Sequence, residues 1–125
     1  MEILRSAADR GIRYLEGLKK RRVGPRPEAV AALDRFDMPF PDDPMTPENM
    51  LEMLDTLGSP ATVGSPGGRF FGFVIGGSLP AAVAANWLAG AWDQNTGLWA
   101  GSPIGSQLEV VCLRWLRELL GLDDE

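Results

Sequence analysis

The stretch Arg69-Phe70-Phe71-Gly72-Phe73-Val74-Ile75-Gly76-Gly77-Ser78-Leu79-Pro80, continued by Ala81-Ala82-Val83-Ala84-Ala85-Asn86-Trp87-Leu88-Ala89-Gly90-Ala91-Trp92, decides how this chain is read. From Phe70 to Trp92 no side chain is charged, a run of 23 positions that is long enough to raise a membrane span. Its interior argues against one. Gly76-Gly77-Ser78-Leu79-Pro80 falls in the middle as a turn and a helix start, and Asn86 sits in the apolar half that remains. The reading is therefore a buried, strand-like extended segment at Arg69–Ile75, a tight Gly76-Gly77 turn and a buried helix over 79–92, with Val83, Trp87, Leu88, Ala91 and Trp92 inward. A single strand leaves its backbone N–H and C=O groups unpaired, so something further is expected to cover this surface.

Helices are expected on both sides. Upstream, Thr46-Pro47-Glu48 supplies an N-cap, a first-turn proline and an acid; Met50, Leu51, Leu54 and Leu57 form a stripe, and Gly58 offers a C-cap. Further back, Ile3/Leu4, Ala7/Ala8, Ile12, Leu15 and Leu18 recur at helical spacing, which predicts a surface helix over about 2–20. Gly24-Pro25-Arg26-Pro27 ends it, and a short second helix carries Ala29, Val30 and Leu33 inward before a proline-rich linker over 36–47. Downstream, the irregular stretch Asp93–Gly101 leads to Ser102-Pro103, a second cap with a first-turn proline. The helix it opens, 103–120, places Ile104, Leu108, Val111/Cys112, Trp115 and Leu119 on one face and ends at Gly121. The fold class is mainly α with one short extended segment, divided into N-terminal helices with a proline-rich linker (1–45) and one helical unit (46–125).

Composition removes much chemistry. A chain of 125 residues, 45% apolar and 23% charged, is of one-domain size. The absence of histidine excludes imidazole general bases, Ser-His-Asp and Cys-His pairs and histidine-containing zinc sites. Cys112 is the sole cysteine, so it forms no internal disulfide or CxxC metal site; its apolar neighbours Val110, Val111 and Leu113 suggest an inert buried thiol in a reducing compartment. Lys19 and Lys20 are the only lysines and sit in the run Lys19-Lys20-Arg21-Arg22, where ordinary solvated ammonium groups are expected rather than a Schiff-base lysine. That run reads as four cations stabilising a helix C-terminus in water, with a phosphate or anionic-lipid patch as the functional alternative.

The net charge of −5 is unevenly spread, since residues 36–68 hold six acids and no base while residues 1–35 hold nine bases and five acids. A nucleic-acid partner has little support in that balance. Met1-Glu2-Ile3-Leu4-Arg5 lacks a basic region followed by an apolar one, so no secretory signal is expected and the cytoplasm is the default location.

A few residues could carry chemistry. Gly76-Gly77-Ser78 at a helix start could present backbone N–H groups to an anion, although glycines permitting a tight turn beside a bulky core explain it as well. Asp93 and Asn95 could be polar site residues or exposed turn formers. Trp87, Trp92, Trp99 and Trp115 lie within 29 residues and carry a large apolar area, read first as core.

Several ordered motifs carry a resemblance: Leu57-Gly58-Ser59-Pro60-Ala61-Thr62; Arg69 through Pro80; Trp92-Asp93-Gln94-Asn95, Trp99 and Ser102-Pro103; and Glu109 through Trp115-Leu116 to Leu119-Leu120-Gly121-Leu122. Together they resemble the N-terminal segment of the group II pyridoxal-phosphate-dependent amino acid decarboxylases, the family of the aromatic-amino-acid, glutamate and histidine decarboxylases. The resemblance spans nearly the whole chain, is densest from about 50 to 122, and matches the front quarter or so of such an enzyme. It implies a helical arm lying across the partner subunit of an obligate dimer, ahead of the large aminotransferase-like cofactor domain, which lies outside these residues.

By that resemblance Phe73, Val74, Ile75 and Gly76 line the substrate pocket, and the loop Asn95, Thr96, Gly97 and Leu98 reaches toward the other subunit's active site. Where many relatives have His-Pro before the Arg-Phe-Phe run this chain has Gly67-Gly68, and the aromatic-amino-acid enzymes have Pro-Thr near the positions of Ile75-Gly76; these departures point away from an aromatic substrate. The family's phosphate-binding loop, ring-stacking histidine, pyridinium-pairing aspartate and Schiff-base lysine fall beyond the matched segment, so the implied cofactor is pyridoxal phosphate in the complete enzyme and none on this chain alone. No catalytic, cofactor-binding or metal-ligating residue is assigned within it. The expected role is the N-terminal part of a carboxy-lyase, inactive by itself, either half of a split enzyme or a truncated product. Its partner is a second copy or a larger pyridoxal-phosphate-binding chain. The rival from another class is a small helical interaction module that uses the same aromatic face without any catalytic connection.

Overall fold

The computed structural model describes residues 1–122, which are mainly helical and contain no β-strand. They fall into two units, Met1–Gly77 and a second beginning at Ser78.

In the first unit α1 (Glu2–Gly17) is followed by a turn and by α2 (Pro27–Ala31), which tightens into a 3₁₀ turn at Ala32–Phe36. Pro27 starts α2 because its ring presets the helical φ and its missing N–H would have been unpaired there anyway. Residues 37–46 carry no helix, and α3 (Pro47–Met53) then begins as its sequence dictates, with the Thr46 hydroxyl accepting from the Asn49 N–H at 3.2 Å.

The helix does not stop at Gly58. Its path widens into a π turn at Leu54–Gly58 and runs on through α4 (Ser59–Ala61), with Gly58 at right-handed helical angles and Thr62 as the C-cap. Pro60 supplies the reason, because a proline inside an α-helix has no N–H to give and its ring crowds the carbonyl four residues back, here that of Thr56. A wider turn removes that crowding. Helix α1 packs against α3, α2 against α4, and the 3₁₀ turn against the π turn. Leu57, on the π turn, is the one buried apolar side chain among the described residues; Val30 and Leu33, expected inward, stay exposed.

The second unit holds α5 (Pro80–Trp92) and α6 (Pro103–Leu120). Both have proline in the first turn; α5 ends on Asp93 and α6 on Gly121, each in the left-handed conformation at φ 47° and 63°. Neither helix buries a residue. Of the inward set expected on α5, Trp87, Leu88 and Trp92 are exposed, as are Leu108, Trp115 and Leu119 on α6, and so is the Cys112 thiol. The apolar pattern is there, but burial needs a second layer of structure against it, and the described residues supply none.

Candidate functional site

The two segments that the resemblance singles out lie in different units, and each has its own geometry. In the first unit, residues 69–77 form neither a strand nor a buried segment. Phe70 donates its N–H to the Gly67 carbonyl at 3.1 Å, and the chain then turns at Phe73 and Val74, whose φ angles of 58° and 51° are left-handed. Such angles bring Cβ against the backbone, and for a β-branched residue like Val74 they cost of order 1–3 kcal/mol. The expected Gly76-Gly77 turn is absent; both glycines are in ordinary negative-φ backbone, and the turn sits three residues earlier. Phe73 is 90% exposed and Val74 fully so, with Ile75 and Gly76 exposed after them. The one aromatic neighbour of Phe73 is Phe70, whose ring centre is 6.5 Å away at a tilt of 34°. This arrangement presents apolar side chains and an open backbone outward, with no charged group among residues 70–79.

The loop over 93–102 in the second unit is built far more tightly. Asn95 folds back on itself, its side-chain oxygen accepting from the Gly97 N–H at 3.0 Å, and the Leu98 carbonyl accepts from the N–H groups of Gly101 at 2.9 Å and Ser102 at 3.1 Å. Ser102 is wholly buried and its hydroxyl accepts from the Gly105 N–H at 3.1 Å, capping α6. Gly101 lies so close to the Asn95 carbonyl that a Cβ there would stand 2.8 Å from the oxygen. Asp93 and Asn95 thus both act as turn formers, the former as the C-cap of α5. The loop's polar groups are largely turned on one another, while Leu98 and Trp99 project into solvent.

Sequence reasoning missed the groups that hold the first unit together. Asp55 accepts from Arg10 at 2.7 Å, stands 3.5 Å from Arg13 and takes the Ser59 hydroxyl at 3.0 Å. The Arg10 hydrogen bond, helped by Ser59 and the two positive charges, holds its carboxyl below the usual aspartate range against a smaller opposing effect of burial. Arg21 lies over the Tyr14 ring at 4.7 Å and donates to the Ser59 carbonyl and to the Thr62 hydroxyl, which also pairs with the Tyr14 hydroxyl at 2.7 Å. Arg69 donates to the carbonyls of Arg21 and, at 3.2 Å, Lys19, so a residue about 50 positions away ties down the turn that follows α1. No local spacing rule points to partners so distant in sequence. The signal present was only that Arg69 is the single cation between Arg35 and Arg114.

Among the described residues no group of three or more metal-ligating side chains converges, and no helix is long and apolar enough to cross a membrane. Lys19 and Lys20, the lysines of the sequence, are both exposed in the turn after α1, so neither is the enclosed amine that a Schiff base to pyridoxal phosphate would require.

No family model matches the chain, and no solved structure does. The chain is, however, 29% identical over 111 residues to the aromatic-L-amino-acid decarboxylases of Cavia porcellus and Sus scrofa, and 28% identical to that of Mus musculus over the same length. The match takes in 89% of this chain and 23% of each relative, so the chain spans about a quarter of the length of the curated relatives it matches. Nearly all of this mainly helical chain is thus similar to a minor part of a decarboxylase.

Proposed function

We propose that this chain is the N-terminal part of a pyridoxal-phosphate-dependent amino acid decarboxylase, a cytoplasmic carboxy-lyase, in which it supplies subunit contacts and part of the substrate pocket. The observation that carries the reading is the similarity over 111 residues to aromatic-L-amino-acid decarboxylases, joined to two long helices that bury none of their own apolar residues. An arm made to lie on a partner has that character, since its apolar face is satisfied only in the assembly. The cofactor is held by residues outside these 125, and the chemistry on the amino acid belongs to it. What this chain adds is shape. Phe73, Val74, Ile75 and Gly76 form an uncharged, apolar wall that excludes water from the substrate side chain. The loop Asn95, Thr96, Gly97 and Leu98 reaches the other subunit's active site, where Leu98 adds apolar surface and the amide NH₂ of Asn95 donates to a polar group. By the resemblance, the departure near Ile75-Gly76 sets this wall apart from that of the aromatic-amino-acid enzymes, while the relatives matched are themselves of that kind.

The test is a native mass spectrum of the tagged chain captured from its own cells, with the cofactor's absorbance read on the same sample. The reading expects a chain in covalent or stable association with a pyridoxal-phosphate-bearing polypeptide, whose decarboxylase activity falls on Phe73→Ala or Asn95→Ala. A cofactor-free, monodisperse monomer would overturn it.

A further inference from the structure

The first unit contains a cleft of about 340 Å³ that nothing above has used. Its walls carry four cations, Lys20, Arg21, Arg22 and Arg26, and its remaining lining, which includes Pro60 and Thr62, contains no acid. This is unexpected in a chain whose net charge is −5. The charges are brought together by the fold, because the turn after α1 doubles back onto α4: Val23 takes the Gly64 N–H at 2.7 Å, and Arg21 reaches the Ser59 carbonyl and the Thr62 hydroxyl. Arg69 donates to the turn's carbonyls and lines a separate depression together with Lys19.

The cations remain uncommitted. Among the described residues no carboxylate pairs with Lys20, Arg22 or Arg26, the ion pairs being those of Asp55 with Arg10 and Arg13. Arg21 is the exception: it spends one terminal nitrogen on Ser59 and Thr62 and lies over the Tyr14 ring, and so lines the cleft as a fixed cation. Four like charges around one concave space repel one another unless an anion joins them, and guanidinium forks match the oxygens of a phosphate group. The volume is in the range of small-molecule sites and exceeds what a bare ion needs.

We propose that this cleft binds a small phosphate-bearing ligand, its phosphate oxygens held by Arg22, Arg26 and Lys20 with Arg21 as the fixed cation. The proposal does not depend on the decarboxylase reading. Inorganic pyrophosphate titrated calorimetrically into the full chain is expected to bind saturably with one site. The paired change Arg22→Gln with Arg26→Gln is expected to weaken it by about tenfold or more, and Arg22→Lys with Arg26→Lys to restore only part of the loss, since the charge returns without the fork. Lys19→Gln, which removes a charge from the adjacent depression, should leave binding within about twofold. A parallel arm sediments the chain with vesicles containing phosphatidic acid: saturable pyrophosphate binding identifies a soluble ligand, whereas vesicle binding alone, lost in the paired glutamine variant, identifies a lipid headgroup as the phosphate source. Absence of binding in both arms would overturn the proposal. So would equal losses from Lys19→Gln and the paired variant, since the attraction would then be general charge with no site.

Discussion

Asp55 gathers three polar bonds in the first unit, joining α1 to the π turn through Arg10 and Arg13 and reaching Ser59 within its own helix. Its side chain keeps about a quarter of its surface in water, which limits the value of the pair. Asp55→Asn is expected to lower unfolding free energy by about 1 kcal/mol at neutral pH. The pH dependence has a definite sign: a carboxyl whose folded pKa lies below its unfolded one adds stability above the unfolded value and loses it as pH falls through the folded value. Urea unfolding of the two proteins should therefore differ at pH 7 and converge well below pH 4. A gap that stays constant down to acid pH would show that the carboxylate's charge contributes nothing. Phe73 and Val74 form the other notable pair at this scale, an aromatic and a β-branched residue side by side at left-handed angles where glycine or asparagine is usual. Their neighbours Gly72 and Gly76, which could adopt such angles freely, do not.

The elements differ in how far the sequence foretells them. Capping signals act over three or four residues, and so Thr46-Pro47 and Ser102-Pro103 fix the starts of α3 and α6 and Gly121 fixes the end of α6. Gly58 failed as a stop because Pro60 acts from two positions further on, changing the helix's pitch instead of ending it. The stretch 69–77 failed for another reason: its apolar, aromatic composition suits a strand, but a strand exists only when a neighbour takes its hydrogen bonds, and the described residues offer none. Of the two candidate segments, the loop 95–98 was legible as a turn through its Asn and Gly, while the closure of Gly101 on Asn95 was not, since no spacing rule encodes that approach. That closure predicts the effect of Gly101→Ala. A methyl group there meets a backbone oxygen, which cannot rotate away, so the loop must open and the Ser102 cap with it, at a cost of about 1–2 kcal/mol. Amide exchange at Gly105 and Ser106 should accelerate in the variant while exchange in the middle of α1 remains unchanged; equal acceleration in α1 would refute a local origin.

For the whole molecule, the main fact is that Leu57 and Ser102 are the only side chains buried among the described residues, while Trp87, Trp92 and Trp115 remain open to water. Exposed apolar helices of this kind associate. Sedimentation velocity on the isolated chain is expected to give a weight-average mass that rises with concentration, and Trp115→Glu together with Leu108→Glu to reduce that rise; a single monomeric boundary at every concentration would contradict it. The first unit is closed differently, by polar ties between residues 38 to 51 positions apart: Arg21 to Ser59, Tyr14 to Thr62, Arg10 to Asp55 and Arg69 to the end of α1. Such ties impose an order on synthesis. At roughly 5–20 residues added per second, the turn after α1 waits about 2 to 10 s between its own synthesis and the arrival of Arg69, with the carbonyls of Leu18, Lys19 and Arg21 open to water. During that interval the turn is held by its local bonds alone, Lys20 and Arg21 giving their N–H groups to the Gly17 carbonyl, and the long-range tie that fixes it comes last.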